Sequence, residues 1–111
     1  MFLKIYLFFK KILPRIKGFF FKLLFASTQL SVGKKFKCDT FPSINITDEA
    51  SVKIGNEVYF KKNVELRAHG VSELVIGDNV KIDRGVRLLA ANKATIDIKK
   101  GVRIGLYSVF N

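Results

Sequence analysis

Ile54-Gly55-Asn56-Glu57-Val58 returns 22 residues later as Ile76-Gly77-Asp78-Asn79-Val80. Stepping by 22 in both directions aligns Leu30, Val52, Leu74 and Ile96, then Val32, Ile54, Ile76 and Ile98. Three more columns follow: Phe36, Val58, Val80, Val102; Cys38, Phe60, Ile82, Ile104; and Ile44, Leu66, Leu88, Phe110. A sixth, Pro42, Val64, Val86 and Ser108, is apolar in part. Random placement at 49% hydrophobic content seldom fills five columns in all four copies, so the chain from Leu30 is a true repeat.

Within a copy the apolar anchors step by 6, 6 and 10, as from Ile54 to Phe60 to Leu66 to Ile76. Neither helical period, 3.6 nor 3.5, produces such steps. Short inward-facing strands separated by turns, each regaining its place after 22 residues, form coils stacked on coils. The expected fold is therefore an all-β solenoid, a parallel β-helix with about 22 residues per coil over residues 30–111. Rungs about 4.8 Å apart would make four copies a prism about 20 Å tall. The ten-residue step predicts a widened third side. Outward residues 22 apart should stand side by side, Lys61 by Asp83 and Glu65 by Arg87.

Residues 1–29 are of another kind. The formal charge of +11 is concentrated at the amino-terminal end: residues 1–37 hold nine of the 20 Lys and Arg and no acid, with eight of the eleven Phe. Placed at about 100° per residue, Lys4, Lys11, Arg15 and Lys22 share one stripe, flanked by Lys10 and Lys17. Phe2, Ile5, Phe9, Ile12, Leu13, Ile16, Phe20 and Leu23 take the opposite side. This pattern predicts an amphipathic helical segment, with a kink or a division into two short helices at Pro14.

The charges interrupt every stretch long enough to cross a bilayer or to form a signal peptide. An aromatic face beside a cationic one suits the plane of an anionic membrane, where each cation adds about 1 kcal/mol of attraction. Phe2, Ile5, Phe9, Ile12, Leu13, Ile16 and Phe20, with Lys4, Lys11, Arg15 and Lys22, are the expected membrane contacts. The other reading of the stripe is packing on the rest of the protein or on a second subunit. Nucleic acid is not expected as a partner, because the cations alternate with bulky aliphatics and form no continuous patch.

The Ile-Gly units resemble the hexapeptide repeat of the left-handed parallel β-helix acyltransferases. The resemblance rests on Ile54-Gly55-Asn56-Glu57-Val58, Ile76-Gly77-Asp78-Asn79-Val80 and Ile104-Gly105-Leu106-Tyr107-Ser108, with Ile82-Asp83-Arg84-Gly85-Val86 as a weaker variant. It covers about residues 30–111. The resemblance implies the left hand; the period alone fits either. It also implies acetyl transfer from acetyl-CoA, as cosubstrate and not bound cofactor, to a saccharide hydroxyl by a homotrimer with a catalytic histidine as base. A helix followed by this repeat looks most like the branch that O-acetylates cell-surface polysaccharides. That branch implies a cytoplasmic setting, peripheral on the inner face of the cytoplasmic membrane.

His69 is the sole histidine and the only candidate for a catalytic base, in Arg67-Ala68-His69-Gly70 on the wide side. With no acid beside it in sequence, a corner role is expected, and the chain is read as an incomplete, inactive part of such an enzyme. A non-catalytic scaffold or assembly module is the alternative. One histidine excludes a three-histidine zinc site, and Cys38, alone and in an apolar column, is expected in the core, so no metal is expected. Phosphate-loop, nucleophile-elbow and paired-cysteine signatures are absent from the sequence.

Overall fold

The 22-residue step is the lattice of the fold. In the computed structural model, residues 2–105 and 109–110 are described, so Leu106, Tyr107 and Ser108 of the fourth hexapeptide lie outside the described residues. One sheet stacks β1 (Leu30–Val32), β4 (Ser51–Ile54), β7 (Glu73–Ile76) and β10 (Thr95–Ile98). A second stacks β2 (Lys37–Cys38), β5 (Tyr59–Phe60), β8 (Lys81–Ile82) and β11 (Arg103–Ile104). The third holds β3 (Ser43–Ile46), β6 (Glu65–Ala68), β9 (Arg87–Ala90) and β12 (Val109–Phe110).

All ladders are parallel and in the predicted register: Val52 pairs with Leu30 and Leu74, Phe60 with Cys38 and Ile82, and Leu66 with Ile44 and Leu88. Alternation along each strand sends Val52 and Ile54 inward while Lys53 faces out. The core is the stack of these columns, with Val52, Val58, Phe60, Leu66, Leu74, Val80, Ile82 and Val86 sealed from solvent. The fourth rung is more open: Val102 is 38% exposed, where Val58 and Val80 of the same column are 0%.

The ten-residue step contains a turn. Residues 69–72 form a third corner between β6 and β7, so the widened side is two strands and a bend rather than one long side. Left-handed backbone recurs at each corner, at Lys35, Glu57 and Asn79 (φ 57° each) and Gly101 (77°), at Asn63 and Gly85, and at Asp48, Gly70 and Asn92. Glycine, asparagine and aspartate predominate there because they tolerate positive φ at least cost.

Gly55 answers a different need. A Cβ there would lie 2.5 Å from Asp78 Oδ1 and 2.9 Å from the Asp78 nitrogen. The space is taken because Asp78 Oδ1 accepts the Asn56 N–H at 2.8 Å, just as Asn56 Oδ1 accepts the Lys34 N–H at 2.8 Å. Gly105 stands one corner further on, in the column of Lys61 and Asp83, and a Cβ there meets nothing within 4 Å among the described residues. Its Ile-Gly therefore does not occupy the structural position of Ile54-Gly55.

Helix α1 (Phe2–Phe25) runs through Pro14 as one element, so of the two alternatives the sequence offered, the division into two short helices does not occur. Pro14 removes one intrahelical hydrogen bond, and the turns that follow are held by docking on the first rung. Phe21 is 1% exposed, its ring 5.2, 5.5 and 5.7 Å from those of Phe25, Phe36 and Phe41. Gly18 lies so close that a Cβ would overlap the Phe36 carbonyl oxygen. Later in that column, Val58 O and Val80 O accept N–H bonds from Lys37 and Tyr59 of the rung before, at 2.9 and 3.0 Å. Among the described residues no strand pairs with β2 on the side away from β5, and α1 covers this otherwise open edge, as a solenoid cap does.

Across the outer surface, Arg87 Nε reaches Glu65 Oε2 at 2.7 Å, as the register predicted, and Arg67 Nε reaches Oε1 at 2.5 Å. Lys61 and Asp83 form no ion pair; Asp83 Oδ1 instead accepts the Arg84 N–H at 2.7 Å, a shorter-range bond that uses the carboxylate within its own corner.

Candidate functional site

Capping leaves the other side of α1 open. Docking uses Gly18 and Phe21, while the predicted apolar stripe remains solvent-exposed from Ile16 at 41% to Phe2 at 88%, through Ile5, Phe9, Leu13 and Phe20; Ile12 is half-buried. Apart from Ile12, intramolecular packing of the stripe therefore does not occur among the described residues. No helix among them is long and apolar enough to cross a membrane. The signal for docking that sequence reasoning missed is the row Gly18, Phe21, Phe25, spaced three and four residues apart, with the small residue at the closest approach.

Around the axis, the cationic stripe lies between the docked face and the open apolar face. Lys4, Lys11 and Arg15 are exposed and Lys22 is half-buried. Two grooves open between α1 and the solenoid along this stripe. One, of about 660 Å³, sets Lys10, Lys11 and Arg15 opposite Lys37 and Tyr59. The other, of about 640 Å³, sets Arg15 and Lys22 opposite Lys34 and Lys35. No acidic side chain lines either.

The Tyr59 hydroxyl donates to Asp39 Oδ1 at 2.6 Å, and Lys17 Nζ donates to the Asp39 carbonyl at 2.9 Å. Burial, then the bond to Asp39, push the Tyr59 phenol up to about 12, so it is a neutral donor. Lys37 Nζ is 5.9 Å from the Tyr59 ring centre.

His69 sits at the corner after β6, half-buried, with Nδ1 2.8 Å from Thr47 Oγ1 one rung below. Thr47 Oγ1 donates in turn to Asp48 Oδ2 at 3.4 Å, and the same oxygen accepts the Gly70 N–H at 3.2 Å. The stacking thus brings an acid to His69 through one hydroxyl, although none adjoins it in the chain. Chemically the arrangement orients the ring, and it ties the rungs together through a side chain. His69 lines neither groove.

Cys38 is fully enclosed, as its column predicted; burial pushes its thiol up to about 11, with Lys17 lowering it less and Asp39 raising it slightly. Among the described residues no three metal-ligating side chains converge. The hydrogen bond from Arg87 holds the Glu65 carboxyl below its ordinary value, against a smaller opposing effect of desolvation. No protein-family model, curated protein or solved structure matches the chain.

Proposed function

We propose that the chain holds its solenoid against an anionic membrane surface through the open face of α1. The observation that carries this reading is the division of labour around one helix: Gly18 and Phe21 cap the solenoid, and Phe2, Ile5, Phe9, Ile16 and Phe20 point elsewhere with nothing over them. An uncovered stripe of this length is costly in water and is satisfied in the plane of a bilayer. Cations on its flank fit the headgroup level.

What the solenoid serves there is read from the Ile-Gly corners and their resemblance: O-acetylation of a saccharide from acetyl-CoA, in a trimer on the inner face of the cytoplasmic membrane. We do not assign His69 as the base of that reaction, because its corner lines neither groove.

Co-sedimentation of the full chain with vesicles tests the membrane reading. Binding to phosphatidylglycerol vesicles and not to phosphatidylcholine is expected, with loss in an Ile5→Glu, Phe9→Glu, Ile16→Glu variant; absence of binding to the anionic vesicles would overturn it. Incubation with acetyl-CoA and a saccharide acceptor tests the role given to His69. Turnover abolished by His69→Ala would contradict it.

A further inference from the structure

The groove between α1 and the first corner of the solenoid is more selective than a charged surface. We propose that it is a binding site for one anionic phospholipid, with the phosphate among Arg15, Lys22, Lys34 and Lys35 and an acyl chain along Phe19 and Leu23. This rests on the reading of α1 as a membrane-surface helix and deepens it.

Three observations on the chain argue for this occupant. First, charge: four cations from two separate elements face one space of about 640 Å³, and no acid lines it. Arg15, Lys22 and Lys34 have no ion-pair partner among the described residues, and Lys35 has only an exposed contact with Glu57 at 3.8 Å. A cleft lined by charges of one sign concentrates counter-ions of the other, and a phosphate relieves the mutual repulsion of its walls.

Second, the order of side chains around the helix matches the order of groups in a phospholipid. At about 100° per residue, Gly18 on the solenoid is followed by Lys22 and Arg15, then Phe19, then Leu23, and then the open stripe. A lipid with its phosphate at the cations can therefore lay a chain over Phe19 and Leu23, 61% and 67% exposed, without crossing a polar side chain. A small anion would use the first half of that sequence and leave the apolar half unoccupied.

Third, Lys34 and Lys35 belong to the corner that is fixed to the next rung, through the Lys34 N–H to Asn56 Oδ1 at 2.8 Å and the Glu57 N–H to the Lys34 carbonyl at 2.8 Å. One wall is thus backbone-anchored and the other is the cap helix, so the gap between them is set by the docking of Gly18 and Phe21. A phosphate bridging the walls would tighten the cap.

The test titrates the isotope-labelled full chain with short-chain phosphatidylglycerol below its micelle concentration, following backbone amide signals. Saturable shifts at Phe19, Lys22, Gly33 and Lys35 are expected, weakened tenfold or more by Lys34→Gln with Lys35→Gln, in a variant that keeps a dispersed spectrum. Absence of saturable shifts overturns the proposal, as does equal binding of inorganic phosphate, which would make this a phosphate site only. Vesicle binding by the same samples separates the two readings. Sedimentation with anionic vesicles without groove shifts sinks the lipid site alone; groove shifts without sedimentation support the site and sink the membrane reading.

Discussion

Two glycines in identical Ile-Gly dipeptides do different work. Gly55 leaves room for the carboxylate of Asp78 to accept a backbone N–H, so Gly55→Ala forces the next corner to shift and is expected to cost about 1–3 kcal/mol. The Cβ of Gly105→Ala meets nothing among the described residues, and the substitution should change stability by no more than about 0.5 kcal/mol. Urea midpoints of the two variants check the contrast. The dipeptides and their different columns were legible in the sequence, but the space beside each glycine was not, because it depends on the rung above.

Cys38 and Tyr59 set the alkaline limit. Folding raises the thiol from 9.0 to about 11 and the phenol from 10.0 to about 12, so the folded state holds both protons more tightly. Their contribution is complete below pH 9.0 for the thiol and 10.0 for the phenol, and is lost as pH rises through about 11 and about 12. Urea midpoints should fall across that window, and Tyr59→Phe should flatten the upper part of the fall. Glu65 acts in the opposite direction: its lowered value gives stability present at neutral pH and lost in acid.

At the scale of elements, the strands were readable because their lattice is written in side chains: the columns of Val52 and Leu66 pair in the register that counting by 22 gives. Leu66→Ala, in the middle of one column, is expected to cost about 2–5 kcal/mol in chemical denaturation, since neighbouring rungs restrict collapse of the cavity. The helix was readable as amphipathic, and its docking was not. Amphipathic pattern locates the largest apolar face, while the solenoid selected the flank with Gly18 and Phe21, where a backbone can approach closely. Gly18→Leu should therefore release α1 from the first rung, seen as faster amide exchange from Gly18 to Phe25 and at Phe36, while β5 to β9 keep their protection. The Thr47–His69 contact obeys the same 22-residue step as Glu65 and Arg87, so its register was legible and only its hydrogen bond was not.

For the whole molecule, the helix that caps the solenoid is also the one we propose as its membrane anchor. Its long stripe of Phe and Ile would be a liability on a free-standing solenoid, and on the proposed reading the bilayer surface covers it. The most direct measurement is the immersion depth of nitroxide labels on the full chain, bound to phosphatidylglycerol vesicles, in a Cys38→Ala background. A label at Phe9 or Ile16 should be accessible to oxygen and shielded from a water-soluble nickel chelate, while a label at Arg67 shows the reverse. Equal exposure of all three labels to the chelate would contradict the account.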